Sequence, residues 1–407
     1  MKKVAKILLC ATLLSGLKYF NAVESDKANV VGYPTSITEE AIEVSFLQNS
    51  PNLQIRAKSA YLMDFATKTP IYQQNERERL PIASMCKIMT LILCFDAIDQ
   101  RSLDINEHIT VSERAASMGG SQVFLEANAN YSVRELIKSI IVCSANDSCV
   151  AMAERVAGGE ALFVEKMNEK AKELGANDTL FANCTGLPKE PQYSCAKDVG
   201  LMLKELLKHE EYYQFGGVWM DKFQHPEGRY TEITNTNKLI RFYEGCDGGK
   251  TGFTSEAGFC LAATAKRNDM RIISVIIGAE NSKNRFDDTR TMFDYAFANY
   301  TAKPIVQANV PLEQTIKVNG GKEKEIQVYP AKSVYNFVKR GETANVSYEM
   351  LIEKAKAPVE KDEKVGELLV FKDGVEIDRV DLKAVNQIQK AGFFDRLQDI
   401  AENWNSR

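Results

Sequence analysis

The sequence predicts an α+β domain, then a small all-β domain, then a terminal amphipathic helix. Three observations carry this. Helical periodicity dominates residues 82–207, and strand-like runs flank it at 58–65 and 70–73 on one side and at 258–265 and 270–278 on the other. Composition then shifts at Ala302-Lys303-Pro304 to short Val/Ile-rich runs separated by turn signals. Residues 392–404, finally, repeat large apolar side chains at helical spacing. A chain of 407 residues exceeds one ordinary core. Its 44% hydrophobic and 26% charged residues fit a folded globular protein rather than a disordered or multi-spanning one.

The chain opens with a basic stretch, Met1-Lys2-Lys3-Val4-Ala5-Lys6, and an apolar run over 7–17 too short to span a bilayer; small residues appear by Ala22. This predicts a secretory signal over 1–22, and hence an exported protein at the outer face of the cytoplasmic membrane or in the cell-wall space. A polar linker is expected over 23–36, the main domain over 37–301, the β-rich domain over 302–386 and the terminal helix over 387–407. Loss of Lys2, Lys3, Lys6 and Lys18 takes the formal charge from -4 to -8, a poor match for nucleic acid. Eight of the nine cysteines follow the signal, scattered singly through apolar segments without a Cys-x-x-Cys pair. They read as small buried hydrophobes rather than a disulfide framework. His108, His209 and His225 are not spaced as ligands, so neither a metal nor another cofactor is expected.

Taken in order, residues 58–65 and 70–73 read as a strand, turn and return strand. Pro81 then opens a helix that is apolar nearly all round to Ile98, which predicts burial. Residues 112–116 suggest a short helix, and Gly119-Gly120-Ser121 a tight turn. Ser132-Val133-Arg134-Glu135 fits a capping box at the start of a helix burying Leu136, Ile137, Ile140 and Ile141. Cys143-Ser144-Ala145-Asn146-Asp147 is a polar break before helical periodicity resumes, and Gly175 stops a further helix begun at Glu160. Ser194 is placed to cap a helix running to Leu207. After the two strands ending at Gly278, residues 285–300 predict a helix with Met292, Phe293, Tyr295, Ala296 and Phe297 inward. Beyond Pro304, strands are expected at 314–318, 327–329, 333–337, 367–371 and 376–381, with hairpin turns at Asn319-Gly320-Gly321 and Asp373-Gly374.

Within this frame, Ser84 and Lys87 stand at i, i+3 on a buried helix, which puts hydroxyl and ammonium on one face. A buried lysine needs a partner or a purpose. As the free amine it could take the serine's proton and make a nucleophile of an otherwise unreactive hydroxyl. Two later stretches supply complementary chemistry. Ser144-Ala145-Asn146 places a hydroxyl and an amide at a break between buried helices, where they must be hydrogen-bonded or face a cleft. Asp247-Gly248-Gly249-Lys250-Thr251-Gly252-Phe253-Thr254 sets a lysine among glycines ahead of a buried strand.

The trio Ser84-x-x-Lys87, Ser144-Ala145-Asn146 and Lys250-Thr251-Gly252 is a signature of penicillin-recognising serine enzymes. With 80–85, 119–121, 181–188 and 247–254, nearly the whole chain resembles the low-molecular-mass penicillin-binding proteins of the serine D-Ala-D-Ala carboxypeptidase family. The resemblance implies an antiparallel sheet with helices on both sides and a helical subdomain, the β-lactamase/transpeptidase-like arrangement. It implies that Ser84 attacks the penultimate D-Ala carbonyl of a peptidoglycan stem peptide and forms an acyl-enzyme. Lys87 accepts the proton, Ser144 relays it to the departing D-Ala, and Asn146 holds the peptide amide and Lys87. Lys250 and Thr251 bind the terminal carboxylate beside Gly252, and backbone N–H groups of Ser84 and Phe253 form the oxyanion hole. β-Lactams are then acylating inhibitors. No Glu-x-x-Leu-Asn lies between the second and third motifs, the element with which a class A β-lactamase deacylates, so a penicillin acyl-enzyme should persist. Cys86 and Cys143 are expected near the cleft. The terminal segment 391–407, with Phe393, Phe394, Leu397, Ile400, Ala401 and Trp404 on one face, is expected to lie in a membrane surface.

Overall fold

The computed structural model describes residues 51–393 and Asp395. The expected signal and linker, and all of the terminal segment 391–407 except Ala391, Gly392, Phe393 and Asp395, lie outside the described residues. Among the described residues no helix is long and apolar enough to cross a membrane. They fall into two compact units, one comprising 51–305 with 335–344 and the other 306–334 with 345–393.

The larger unit is built on five strands: β1 (Ser59–Asp64), β2 (Pro70–Gln74), β3 (Cys246–Thr254), β4 (Gly258–Arg267) and β5 (Met270–Ala279). They form one antiparallel sheet in the order β2-β1-β5-β4-β3, so β3 is an edge strand. Side chains alternate across it, as the pleat requires. Tyr61, Met63, Ile273 and Val275 face one core, which holds the helices α1 (Lys87–Asp99), α2 (Val133–Val142), α3 (Asn146–Ala157) and α5 (Ala196–Leu206); α4 (Glu160–Glu173) contributes Phe163 and Met167. Ala60, Leu62, Leu261, Ala263 and Ile276 face a second core with Met292, Phe293 and Ala296 of α6 (Ser282–Asn299). Helices cover both sides, as the resemblance implies. Tyr295, expected inward, is half-buried.

Helix α1 decides the geometry of the site. Ile88, Met89, Leu91, Ile92 and Phe95 are all essentially inaccessible to water, at about 2 kcal/mol each. That total comfortably offsets the several kcal/mol that a fully buried Lys87 costs in desolvation. The start of the helix departs from expectation. Ala83–Cys86 form a 3-10 turn that precedes the α-helix, and Ala83 has φ 47°. Ser84 therefore sits on a tight turn ahead of α1.

Several local expectations are also revised. Ser132 Oγ accepts from Glu135 N at 3.2 Å, but the Glu135 carboxylate turns to Gln224 N (3.0 Å) and Lys138 Nζ (2.8 Å), so the reciprocal half of the capping box is absent. Tertiary donors compete successfully for that carboxylate. Cys195, not Ser194, is the N-cap of α5, and the Ser194 hydroxyl instead lies 2.8 Å from that of Thr179. All eight cysteines after the expected signal are free, and every one but Cys143 is buried.

The smaller unit is a five-stranded antiparallel sheet in the spatial order Thr315–Lys317, Glu325–Pro330, Val375–Ala384, Lys364–Lys372, Val346–Ile352. Asp373 and Gly374 close a hairpin with φ 49° and 83°, the two left-handed residues its twist requires. Strand Val346–Ile352 is not among the expected strands, although Val346, Tyr348, Met350 and Ile352 alternate as its half-buried face with exposed Ser347, Glu349 and Leu351. Residues 335–337, expected in this sheet, belong to the larger unit, where the Phe337 ring stacks on Tyr300 at 5.0 Å.

Asp288 on α6 ties the segment before β1 to the larger unit: its carboxylate accepts from Arg56 N (3.0 Å), Ala57 N (3.2 Å) and the Arg56 guanidinium (2.8 Å). Asp288→Ala orphans two backbone donors and should cost about 2 kcal/mol. It is to be read as a lower urea midpoint with unchanged m.

Candidate active site

Three elements converge on Ser84. The first is its own turn and α1. Lys87 Nζ donates to Ser84 Oγ at 3.0 Å and to Thr185 O at 2.5 Å. Asn183 shapes the carbonyl-bearing turn: its Oδ1 accepts from Thr185 N (3.1 Å), Thr185 Oγ1 (3.1 Å) and Gly186 N (2.7 Å). Gly186, with φ 79°, passes so close that a Cβ there would stand 2.0 Å from Ala83 O and 2.9 Å from Ser84 N.

The second element is the break between α2 and α3. Ser144 is 4% exposed, has φ 68° and carries a buried hydroxyl without a hydrogen-bond partner. A strained backbone and an orphaned donor together cost on the order of 2–4 kcal/mol, the sort of local expense found where a group is poised for function. Asn146 opens α3. Its Nδ2 donates to Gly119 O (2.7 Å) and its N to Ser121 O (2.7 Å). Since Nδ2 faces a carbonyl, Oδ1 is left as the acceptor. No hydrogen bond joins Asn146 to Lys87 among the described residues, where the resemblance led one to be expected; Lys87 donates to Ser84 and Thr185, and Asn146 Nδ2 to Gly119 O. Asp147, which the motif reading left unused, anchors the same loop. Its buried carboxylate accepts from Val123 N (3.0 Å), Leu125 N (3.1 Å) and Ser148 N (2.9 Å).

The third element is β3. Its free edge runs past the serine turn, and a Cβ on Gly252 would lie 3.2 Å from Ser84 N. Lys250 is 2% exposed and donates only to Thr251 O (3.1 Å). Burial, and then the positive charge of Lys87, lower its pKa to about 7. Thr251 Oγ1 donates to Thr236 Oγ1 (2.7 Å), while Phe253 is 54% exposed against Phe259 at 4.3 Å. Behind the strand, Tyr212 OH accepts from Gly249 N (2.8 Å), and buried Arg285 donates to Gly252 O (3.2 Å) and Cys260 O (3.3 Å).

Ser84, Lys87 and Gly252 are thus in direct apposition. Lys250 lies within the field of Lys87, and also of Cys143, the neighbour of Ser144. Cys86 is turned inward, its Sγ donating to Asn183 O (3.2 Å), and burial pushes its thiol up; Cys143 is half-buried with its thiol pushed up to about 12. Neither offers a thiolate at neutral pH. The supporting residues Thr185, Tyr212, Thr236 and Arg285 went unassigned because each acts through a backbone group or a hydroxyl far away in sequence. Only the Asn183-x-Thr185-Gly186 turn carried a local signal.

Comparison with known proteins matches residues 45–281 to the family described as D-alanyl-D-alanine carboxypeptidase, and residues 300–390 to the one described as penicillin-binding protein 5, C-terminal domain. The chain belongs to the D-alanyl-D-alanine carboxypeptidase family. It is 39% identical to D-alanyl-D-alanine carboxypeptidase DacF of Bacillus subtilis over 97% of this chain and 98% of that protein. It is 31% identical to DacC of Escherichia coli over 85% and 87%. Among solved structures, penicillin-binding protein 5 of Haemophilus influenzae superposes with a TM-score of 0.65 at 27% identity, covering 84% of this chain and 99% of that one. A serine hydrolase of this family is what a lysine-activated hydroxyl beside an edge strand can be.

The Lys250 charge has a measurable consequence. In the free protein its pKa is about 7, and a bound carboxylate favours the ammonium and raises it. Between the two values binding takes up a proton, so affinity falls by up to about tenfold per pH unit above 7. Calorimetry of an acyl-D-Ala-D-Ala peptide binding to Ser84→Ala at pH 8, in buffers of different ionisation enthalpy, should show uptake approaching one proton.

Proposed function

We propose that the chain removes the terminal D-alanine from peptidoglycan pentapeptide stems through an acyl-enzyme on Ser84, and that penicillin acylates the same hydroxyl. The observation that carries the assignment of residues is the 3.0 Å contact between Lys87 Nζ and Ser84 Oγ, beside a second buried lysine that has no carboxylate partner among the described residues. When Lys87 is a free amine, one N–H stays on Thr185 O and the lone pair faces Ser84 Oγ. Oγ attacks the penultimate carbonyl carbon, its proton passes to Nζ, and the tetrahedral oxyanion is met by the N–H groups of Ser84 and Phe253. The scissile C–N bond then breaks. The proton moves by way of the Ser144 hydroxyl to the amine of the leaving D-Ala, and water later cleaves the ester with Lys87 again accepting a proton.

The remaining groups position the peptide. Lys250 and Thr251 take the terminal carboxylate, while Asn146 Oδ1 is available to a substrate N–H. Gly252 permits the approach, since a side chain there would meet Ile82 O at 2.6 Å. A free edge strand is suited to receive an extended peptide by main-chain hydrogen bonds. The test is covalent labelling by a fluorescent penicillin together with D-Ala release from a pentapeptide. Both should vanish in Ser84→Ala, and release that survives in this variant refutes the mechanism.

The same reading includes export and attachment to a membrane surface. It is supported by the signal-like pattern over 1–22 and by the apolar face of 391–407. Because that segment is acidic as well as apolar, attachment rests on burial of its aromatic residues rather than on charge. Deleting 391–407 should move the protein from the membrane fraction to the soluble one without loss of penicillin labelling.

A further inference from the structure

Beside the serine turn, on the side where β3 ends, the surface forms a depression lined by Ala83, Leu187, Lys189, Glu190, Thr254 and Glu256, among others. Its floor begins at Ala83 and Gly186, next to Ser84 N, and its rim carries the exposed Lys189, Glu190 and Glu256. None of these three charges has an ion-pair partner among the described residues, so the rim has one uncompensated negative charge.

The order of residues along β3 fixes what reaches this depression. Lys250 and Thr251 precede Gly252, which lies against Ser84 N, and Thr254 and Glu256 follow. A peptide whose C-terminal carboxylate lies at Lys250 and Thr251, and whose scissile carbonyl lies at Ser84, must continue away from the leaving group toward Thr254 and Glu256. Extended chain advances about 3.3 Å per residue, so the residue preceding the penultimate D-Ala comes level with the rim.

We infer that this depression is a specificity site for that residue, and that it selects a side chain ending in a free amine. The inference rests on the carboxypeptidase reading and adds the chemistry of the acyl side. The half-buried Leu187 at the surface of the depression packs against the methylene stem, and Glu190 and Glu256 meet the ammonium. Lys189 opposes them in part, which limits the selectivity. Exposed ion pairs of this kind are individually weak and screened by salt, so the expected discrimination is about fivefold at low ionic strength and shrinks as salt is added.

The experiment compares kcat/KM for D-Ala release from three acyl peptides, Nα-acetyl-L-Lys-D-Ala-D-Ala, its Nε-acetylated form and the norleucine analogue. The wild-type protein should prefer the free amine about fivefold. Glu190→Gln with Glu256→Gln should bring the three peptides within about twofold of each other, and Lys189→Gln should widen the preference. Fluorescent-penicillin acylation, whose ligand lacks this amine, should not change in any of these variants. Equal kcat/KM for the three peptides in the wild type, or a preference that survives the double variant, overturns the specificity site while leaving the carboxypeptidase reading intact. D-Ala release from none of them, with no Ser84-dependent labelling, overturns that reading and the site with it.

Discussion

The structure turns on holding two lysines in its interior with no carboxylate between them among the described residues. Lys87 and Lys250 are both inaccessible to water, and each is satisfied mainly by backbone carbonyls, Thr185 O and Thr251 O. An arrangement of like charges away from solvent is costly. It persists because α1 and the sheet around it bury enough apolar surface to carry it. The result is a site of positive potential around the Ser84 hydroxyl, suited to a ligand that brings its own carboxylate.

Backbone close approach is the second requirement, and it follows from the first. For Lys87 to meet both Ser84 Oγ and Thr185 O, the 183–187 turn must press against the serine turn, and for Lys250 to share the site, β3 must run along it. Gly186 and Gly252 make both approaches possible, since a Cβ at either meets backbone atoms at 2.0 or 2.6 Å. The same crowding places the N–H of Ser84 and the edge of β3 side by side, so the backbone geometry on which the proposed oxyanion hole rests comes from the same packing. On the far side, Asp147 secures the loop that holds Asn146, so the third wall of the cleft depends on a buried carboxylate that performs no chemistry itself.

Much of this was legible in the sequence. The Ser84-x-x-Lys87 pair, the polar break at Ser144 and the glycine-flanked Lys250 are local patterns, and in combination they carry the family resemblance from which the expected roles follow. The all-round apolar character of α1 foretold its burial, continuous apolar runs marked β4 and β5, and Val/Ile-rich runs between turn signals marked most of the smaller sheet. Two local failures share a cause. The Glu135 half of the capping box and the Ser194 cap both lost to competing tertiary partners. Strand Val346–Ile352 does alternate, with Val346, Tyr348, Met350 and Ile352 on its half-buried face, so that miss has no tertiary cause.

By itself, then, the sequence determined which side chains could act as nucleophile, base and carboxylate receptor, because those capacities belong to residue type and short-range spacing. Tertiary structure alone decided which groups would be left unpaired. The free Ser144 hydroxyl, the lowered pKa of Lys250, the inert Cys86 and the support of Thr185, Tyr212 and Arg285 all depend on atoms brought together from distant parts of the chain. Desolvation and hydrogen-bond competition are properties of that assembled surrounding, and no stretch of sequence contains them.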